Sequence, residues 1–494
     1  MTALLYLMQS IQALAILHAP AGTQLRVRLT TSVASYSTRA GAPVNAILIA
    51  PAQMDGANIL PAGAVLSGQV KKVTRVGLGF RHETAALELD FNRIALPGAE
   101  SAPLSVRVSE VDNGRERVNK NGVIEGVRAT GSISYRVSGY IKQLLLWHFH
   151  AQAAEWLIKS FVVQLPEPEI YYPAGTELTL RLTRPLTAMA APRKEPAATA
   201  ATSREDLDDL LQVIAHTPPR TIDPESGRAS DLTNVLLLGS RRQIEIAFES
   251  AGWTEADQDS IKSRIKCIRA AAEIHGYAAP MSPLLLNGAD SDMSWQKGLN
   301  DVSKRHHIRI WKQPGLWQGQ KIWIAAATRD VDLAYMRPGR AFTHQISANI
   351  DDERDKVAYD LAFTSCASPL AWTERSGLPR AARNGTGDSF YTDTRVVVLK
   401  MNDCAPRQDI DNGNHGALLT RGGKWNRFIR REILVTRSDL IRSNIYWRSY
   451  EGVRYFVEWE RERRRRKLAL EAYSKSSYPT LPAPPQSVPM NPVQ

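Results

Sequence analysis

Residues 305–311 read Arg-His-His-Ile-Arg-Ile-Trp. In an extended strand side chains alternate, so Arg305, His307, Arg309 and Trp311 share one face and His306, Ile308 and Ile310 the other. The first face is a cationic row whose neighbours stand about 7 Å apart. Two guanidiniums flanking an imidazole offer planar donors to a phosphate or carboxylate. Arg305, His307 and Arg309, with Arg354 further on, are therefore the candidate ligand-binding residues for an anion. Asp330 ends the next strand-like run and His344 lies on a third. If the three runs are neighbours, His306 or His307, Asp330 and His344 converge. His306, Asp330 and His344 could then hold a divalent metal. Alternatively His306, His307, Asp330 and His344 could perform general acid–base catalysis beside an arginine-held phosphate. The same residues also fit a purely structural outcome. That is a buried ion-pair network, with Asp330 against an arginine and Asp351, Asp352 or Glu353 against Arg354, at a helix start whose dipole favours carboxylates. His306, set among apolar residues, also fits a core histidine bonded to a buried carboxylate or carbonyl.

Other chemistry is sparse. There is no GxSxG elbow, P-loop, HExxH or GxGxxG. His148 and His150 form an HxH pair, but on a helix positions i and i+2 diverge by about 200°. Asp409 to Gly413 has the flavour of a calcium loop, with the glycine one position early and no closing glutamate. The three cysteines form no CxxC pair; Cys366 and Cys404 could pair in an oxidising compartment.

Period and punctuation indicate the elements that must position these groups. After residue 206 the pattern is α/β. An apolar strand at 233–238 is followed by Ser240, which can cap a helix over 241–250. Thr254 with Asp257 resembles a capping box that would open a longer helix to about 273. Strands follow at 305–311, 321–330 and 341–347, then a helix from about 351 and a strand at 394–401. Helices are expected at 424–434 and from 439. Before residue 186 the pattern is β. PAGTQLRVRLT (20–30) and PAGTELTLRLT (173–183) are two copies of a turn followed by an alternating strand, and Pro61-Ala62-Gly63 opens a third. Short strands with Gly/Pro turns suggest a barrel or sandwich, which the two PAGT strands would close by pairing. Residues 140–160 read as one helix packed on that sheet.

Residues 234–253, the RHHIRIW run, the strand from Trp323 to Asp330, Thr343-His344 and residues 350–355 occur together in an order that resembles the LssY C-terminal family, over about residues 220–365. The resemblance implies an α/β or α+β domain often joined to membrane modules, and a link to secretion or membrane processes. It implies no particular reaction.

The chain has 494 residues, 43% of them hydrophobic, enough for two cores. The resulting fold class is multidomain: an all-β barrel or sandwich followed by the LssY-like domain. The expected parts are a signal peptide (1–19), a β-rich domain (20–185), a linker (186–206), the LssY-like domain (207–440), a basic helical region (441–475) and a disordered tail (476–494). An apolar N-terminus ending near His18-Ala19 reads as an export signal, although it has no basic residue before the apolar run. No later stretch reaches the length of a membrane span. The net charge of +12 favours acidic partners, and six basic residues stand between 461 and 467, a run that an anionic bilayer would attract. The reading is a periplasmic or secreted cell-envelope binding or scaffold protein, cytoplasmic if the N-terminal segment is not a signal. Its partner would be an anionic small molecule, a lipid headgroup or an envelope protein. The alternative is a hydrolase, a phosphoesterase with a His/Asp/Arg site. Nucleic acid is disfavoured for an exported chain with no aromatic-lined RNA module.

Overall fold

A computed structural model describes residues 15–53, 59–96, 101–132, 135, 165–190, 204–334, 343–405 and 424–442, with scattered positions from 449 to 464. His148, His150, the helix expected at 140–160 and the loop at 409–413 lie outside the described residues, as does the tail. The chain divides into two units, Met1–Arg431 and Glu432–Gln494. Among its described residues the second unit is helical, with Arg463 over the Trp459 ring.

The first unit contains two large sheets. The N-terminal one is built from β2 (Gln24–Leu29), β3 (Pro43–Leu48), β4 (Val65–Thr74), β5 (Ala86–Ala95), β6 (Val106–Val111), β7 (Arg117–Val118), β8 (Ile124–Glu125) and β9 (Glu177–Leu182). Its antiparallel order is β6-β9-β2-β3-β4-β5-β8-β7, with Ser101–Pro103 added on β5. Arg107 on β6 donates to the Lys120 carbonyl just past β7 at 3.0 Å, so the two ends approach and the sheet is nearly a closed barrel. The two PAGT strands pair, Leu25 opposite Leu180 and Val27 opposite Leu178, and all four side chains are buried. Each copy turns through a glycine in the left-handed region (Gly22, Gly63 and Gly175, φ 94–97°), which explains why the motif repeats. Gly68 on β4 has a different role. A Cβ there would sit 1.9 Å from the Asp90 carbonyl oxygen, where the register of β4 and β5 shifts. Before β2, β1 (Ala15–Ala19) pairs with β10 (Leu186–Ala190). The expected cleavage point thus falls within a paired strand, and the expected linker begins as one.

The second sheet follows α1 (Arg204–His216). It comprises β11 (Val235–Leu238), β12 (Thr254–Glu255), β13 (Met293–Lys297), β14 (Arg305–Trp317), β15 (Gln320–Ala334), β16 (Thr343–Ile346), β17 (Ala367–Glu374) and β18 (Arg395–Met401). The order is β12-β13-β14-β15-β11-β18-β17, with β16 on β15; β11 and β18 are parallel. One face carries α2 (Arg241–Ser250) and α4 (Asp351–Phe363), whose Ile244, Phe248, Val357 and Leu361 pack on Ile308, Ile310 and Val397. The other carries Leu210 and Ile214 of α1 on Leu236, Ile324 and Val398. β11 is apolar on all four residues because it is covered on both sides. Ser240 and Gln243 cap α2 reciprocally, as its sequence indicates. The cap expected at Thr254 is not one. Thr254 pairs with Gln296 at the sheet edge, and the next helix, α3 (Ile261–Glu273), starts later behind Ser260. Pairing with β13 uses the backbone that a capped helix would need.

The two sheets meet through polar contacts. Past β6, Asn113 Nδ2 donates to the Lys297 carbonyl (2.9 Å), and the Arg115 backbone N–H to Asn300 Oδ1 (2.9 Å). Asn300 Nδ2 donates to Glu116, and Arg115 Nη1 donates to the carbonyl of Ile274. Cys366 and Cys404 form a disulfide with a Cα–Cα distance of 5.2 Å, while Cys267 is free. α5 (Lys424–Arg442) begins in the first unit.

Candidate functional site

The row face of β14 is spent inside the protein. Register places Arg305 opposite Asp330. Arg305 Nε donates to Asp330 Oδ2 (2.8 Å), and its Nη1 to Gln296 Oε1 (3.0 Å) and the Ala279 carbonyl (2.8 Å). Arg309 Nη2 donates to the Ser282 carbonyl at 2.9 Å and its Nη1 faces Asp231 Oδ2 at 3.4 Å. Both guanidiniums are buried, as are His307 and Asp330. His307 Nε2 is 2.7 Å from Thr328 Oγ1. His307 Nδ1 and His344 Nδ1 each stand 3.5 Å from the same oxygen, Asp330 Oδ2, and neither has a hydrogen-bond partner. The structure therefore gathers His307, Asp330 and His344, with Arg305 on the shared oxygen. Among the described residues no group of three His, Cys, Asp or Glu is arranged to hold a metal.

Burial, reinforced by Arg309 and Arg305, pushes His307 down to about 3, so this imidazole is neutral. Burial alone would raise Asp330, but His307, His344 and Arg305 hold it far below the usual carboxylate range. The linkage sign follows. The unfolded histidine takes up a proton below its ordinary value of about 6.5 and the folded one does not, so His307 costs stability as pH falls from there toward 3. His307→Gln is expected to flatten the acid side of a urea-unfolding profile between those limits; an unchanged slope there would contradict the assignment.

His306 points the other way and is not brought to Asp330. Its Nδ1 is 2.5 Å from Glu353 Oε2 on α4 and its Nε2 is 2.7 Å from Asp112 Oδ2, just past β6. Burial would lower this imidazole, but Asp112 and Glu353 outweigh it and raise it. With an N–H aimed at each carboxylate the ring is an imidazolium. Arg329 joins Asp112 (2.9 Å) and Glu110 (2.7 Å). These groups line a cleft of about 150 Å³ between the sheets, together with Arg26, Glu177, Asp352 and Lys356.

Beside the cleft lies a second buried cluster. Glu177 accepts from Arg28 (2.6 Å), Lys297 (2.7 Å) and Lys356 (2.6 Å). Asp360 accepts from Lys297, Lys356 (2.8 Å each) and the Trp253 indole (3.0 Å). Three cations share two carboxylates. Burial and the neighbouring cations push Lys297 down, while Lys356 is held up by Asp360 and Glu177 against its burial. Arg354 is closed off elsewhere, on Asp351, Asp355 and Asp393.

Sequence reasoning missed Asp112, Asp231, Thr328, Lys297, Lys356 and Asp360. For Glu177 there was a signal. It is where the second PAGT copy departs from Gln24 of the first, and its antiparallel partner is Arg28.

Residues 216–396 match the family model described as LssY C-terminus. The match runs from the last residue of α1 into β18 and covers less than half of the chain. No curated protein matches the chain. The LssY C-terminus segment supplies His306, Glu353, Lys297, Lys356 and Asp360. Asp112, Glu110, Arg28 and Glu177 come from outside it. The charged cluster is therefore a joint between the LssY domain and the preceding barrel.

Proposed function

We propose that this protein is a non-enzymatic binding or scaffold protein of the cell envelope, in which the barrel and the LssY domain are locked into one rigid body. The observation that carries this reading is the fate of the candidate residues. The guanidiniums of Arg305, Arg309 and Arg354 are turned onto internal carboxylates and carbonyls, although Arg309 Nε has no hydrogen-bond partner, and His306 has a carboxylate on each ring nitrogen. A general base needs a free lone pair beside space for substrate. His306 faces a cleft without that lone pair, and His307 is buried under Thr328. A partner or anionic ligand would accordingly be met by the outer surface. No described helix is long and apolar enough to cross a membrane.

The envelope half of the reading is supported by the Cys366–Cys404 disulfide, since such bonds persist in oxidising compartments. In cells expressing the full chain, maleimide added at lysis should label Cys267 alone after denaturation, and all three cysteines after reduction. Labelling of all three without reduction would remove that support. The non-enzymatic half is tested with p-nitrophenyl phosphate. No turnover above buffer is expected, and hydrolysis lost in His306→Gln with the fold retained would overturn it.

A further inference from the structure

We infer that one end of the barrel, formed by the turn after β4 and the start of α5, is a docking surface for an anionic membrane. The turn reads Arg-Val-Gly-Leu-Gly-Phe-Arg-His over 75–82. Gly77 (φ 59°) and Gly79 (φ 95°) take left-handed conformations that let the chain double back on both sides of Leu78. This leaves Leu78 and Phe80 projecting, 42% and 69% exposed. The first two turns of α5 present Trp425 and Ile429, 77% and 42% exposed. Arg430 joins the two elements: its Nε donates to the Gly77 carbonyl at 2.6 Å and its Nη1 pairs with Glu167. Four large apolar side chains thus stand in water on two elements that touch.

Their surroundings are basic. Residues 424–431 contain four basic residues and no acidic one, Arg430 being paired with Glu167; the turn adds Arg75 and Arg81 against Glu83, and the buried Glu169 accepts from its Val76 and Gly77 N–H groups. Exposed aromatic and aliphatic side chains ringed by Lys and Arg are the pattern of a segment that rests in a lipid interface. Each basic residue near an anionic bilayer raises partitioning about fivefold. The tips project from a turn and a helix, which suits a flat bilayer better than the edge of a protein ligand. The surface adds a partner to the scaffold proposed above. Its failure would leave that reading standing, because turnover and thiol state do not depend on it.

The test is co-sedimentation of the full-length protein with vesicles of phosphatidylcholine alone and of phosphatidylcholine with phosphatidylglycerol. Binding is expected only to the anionic vesicles, falling with added salt. Phe80→Ser/Trp425→Ser should weaken it at least tenfold with an unchanged melting temperature. Arg461→Gln/Arg463→Gln/Arg464→Gln, which alters the C-terminal basic run in the full chain, should leave most of it. The inference is overturned if wild type ignores anionic vesicles, or if the serine pair binds like wild type. A melting temperature that drops sharply in the serine pair would also overturn it, because these side chains would then be buried in solution.

Discussion

His306→Gln is expected to destabilise the protein by about 3–5 kcal/mol, the usual cost of removing one partner from a buried ion pair. The imidazolium is the cation shared by Asp112 and Glu353; His306 and Glu353 are buried and Asp112 is half-buried at the cleft. Without it Asp112 keeps Arg329, but Glu353 loses its cationic partner while its Oε1 already lacks a hydrogen-bond partner. The pH profile identifies the cause. The folded-state value of His306 is raised, so its contribution is complete below about 6.5, the unfolded value, and is lost as pH rises through the folded value. Wild type should therefore lose stability on that alkaline side, and His306→Gln should lose less. Urea unfolding across that range measures both. Parallel curves for the two proteins would sink the imidazolium assignment.

Asp360→Ala should cost at least as much, about 3–5 kcal/mol or more. It leaves Arg28, Lys297 and Lys356 around Glu177 alone, three buried cations on one carboxylate, and strands the Trp253 indole N–H. Because Arg28 and Glu177 belong to the barrel and the other members to the LssY domain, the loss should appear as weakened docking of the two. A double-mutant cycle with Glu177→Gln should show coupling above about 1 kcal/mol, the upper part of the range for residues in one network. Limited proteolysis should open the loop around Asn113 before the sheets themselves. Additive effects and an unchanged cleavage order would count against a joint at Asp360.

Local pattern and register account for what could be read early. The alternating Leu25, Val27 and Leu29 and their PAGT copy specify strands that pair with one another, since a period of two buries one face whatever the surroundings. The faces of β14 were legible for the same reason: Ile308 and Ile310 enter the core with α2 and α4, and Arg305 lies opposite Asp330. A matched LssY C-terminus segment was legible in the order of its motifs. The misplaced cap at Thr254 shows the limit, because the two-residue edge strand Thr254–Glu255 competed for the same backbone and won through pairing with β13.

What the sequence by itself determined, then, is the division into a β-rich half and an LssY-like half, their strands, and the residues able to carry charge or a proton. Only the tertiary structure decided what those residues do. His306 meets Asp112 194 positions away and Glu177 meets Lys356 179 positions away. No local period encodes such encounters. Whether an arginine row binds a ligand or is consumed as an internal brace depends on which carboxylates and carbonyls the packed sheets bring within about 3 Å. Here Asp330, Asp231 and two backbone carbonyls arrive first.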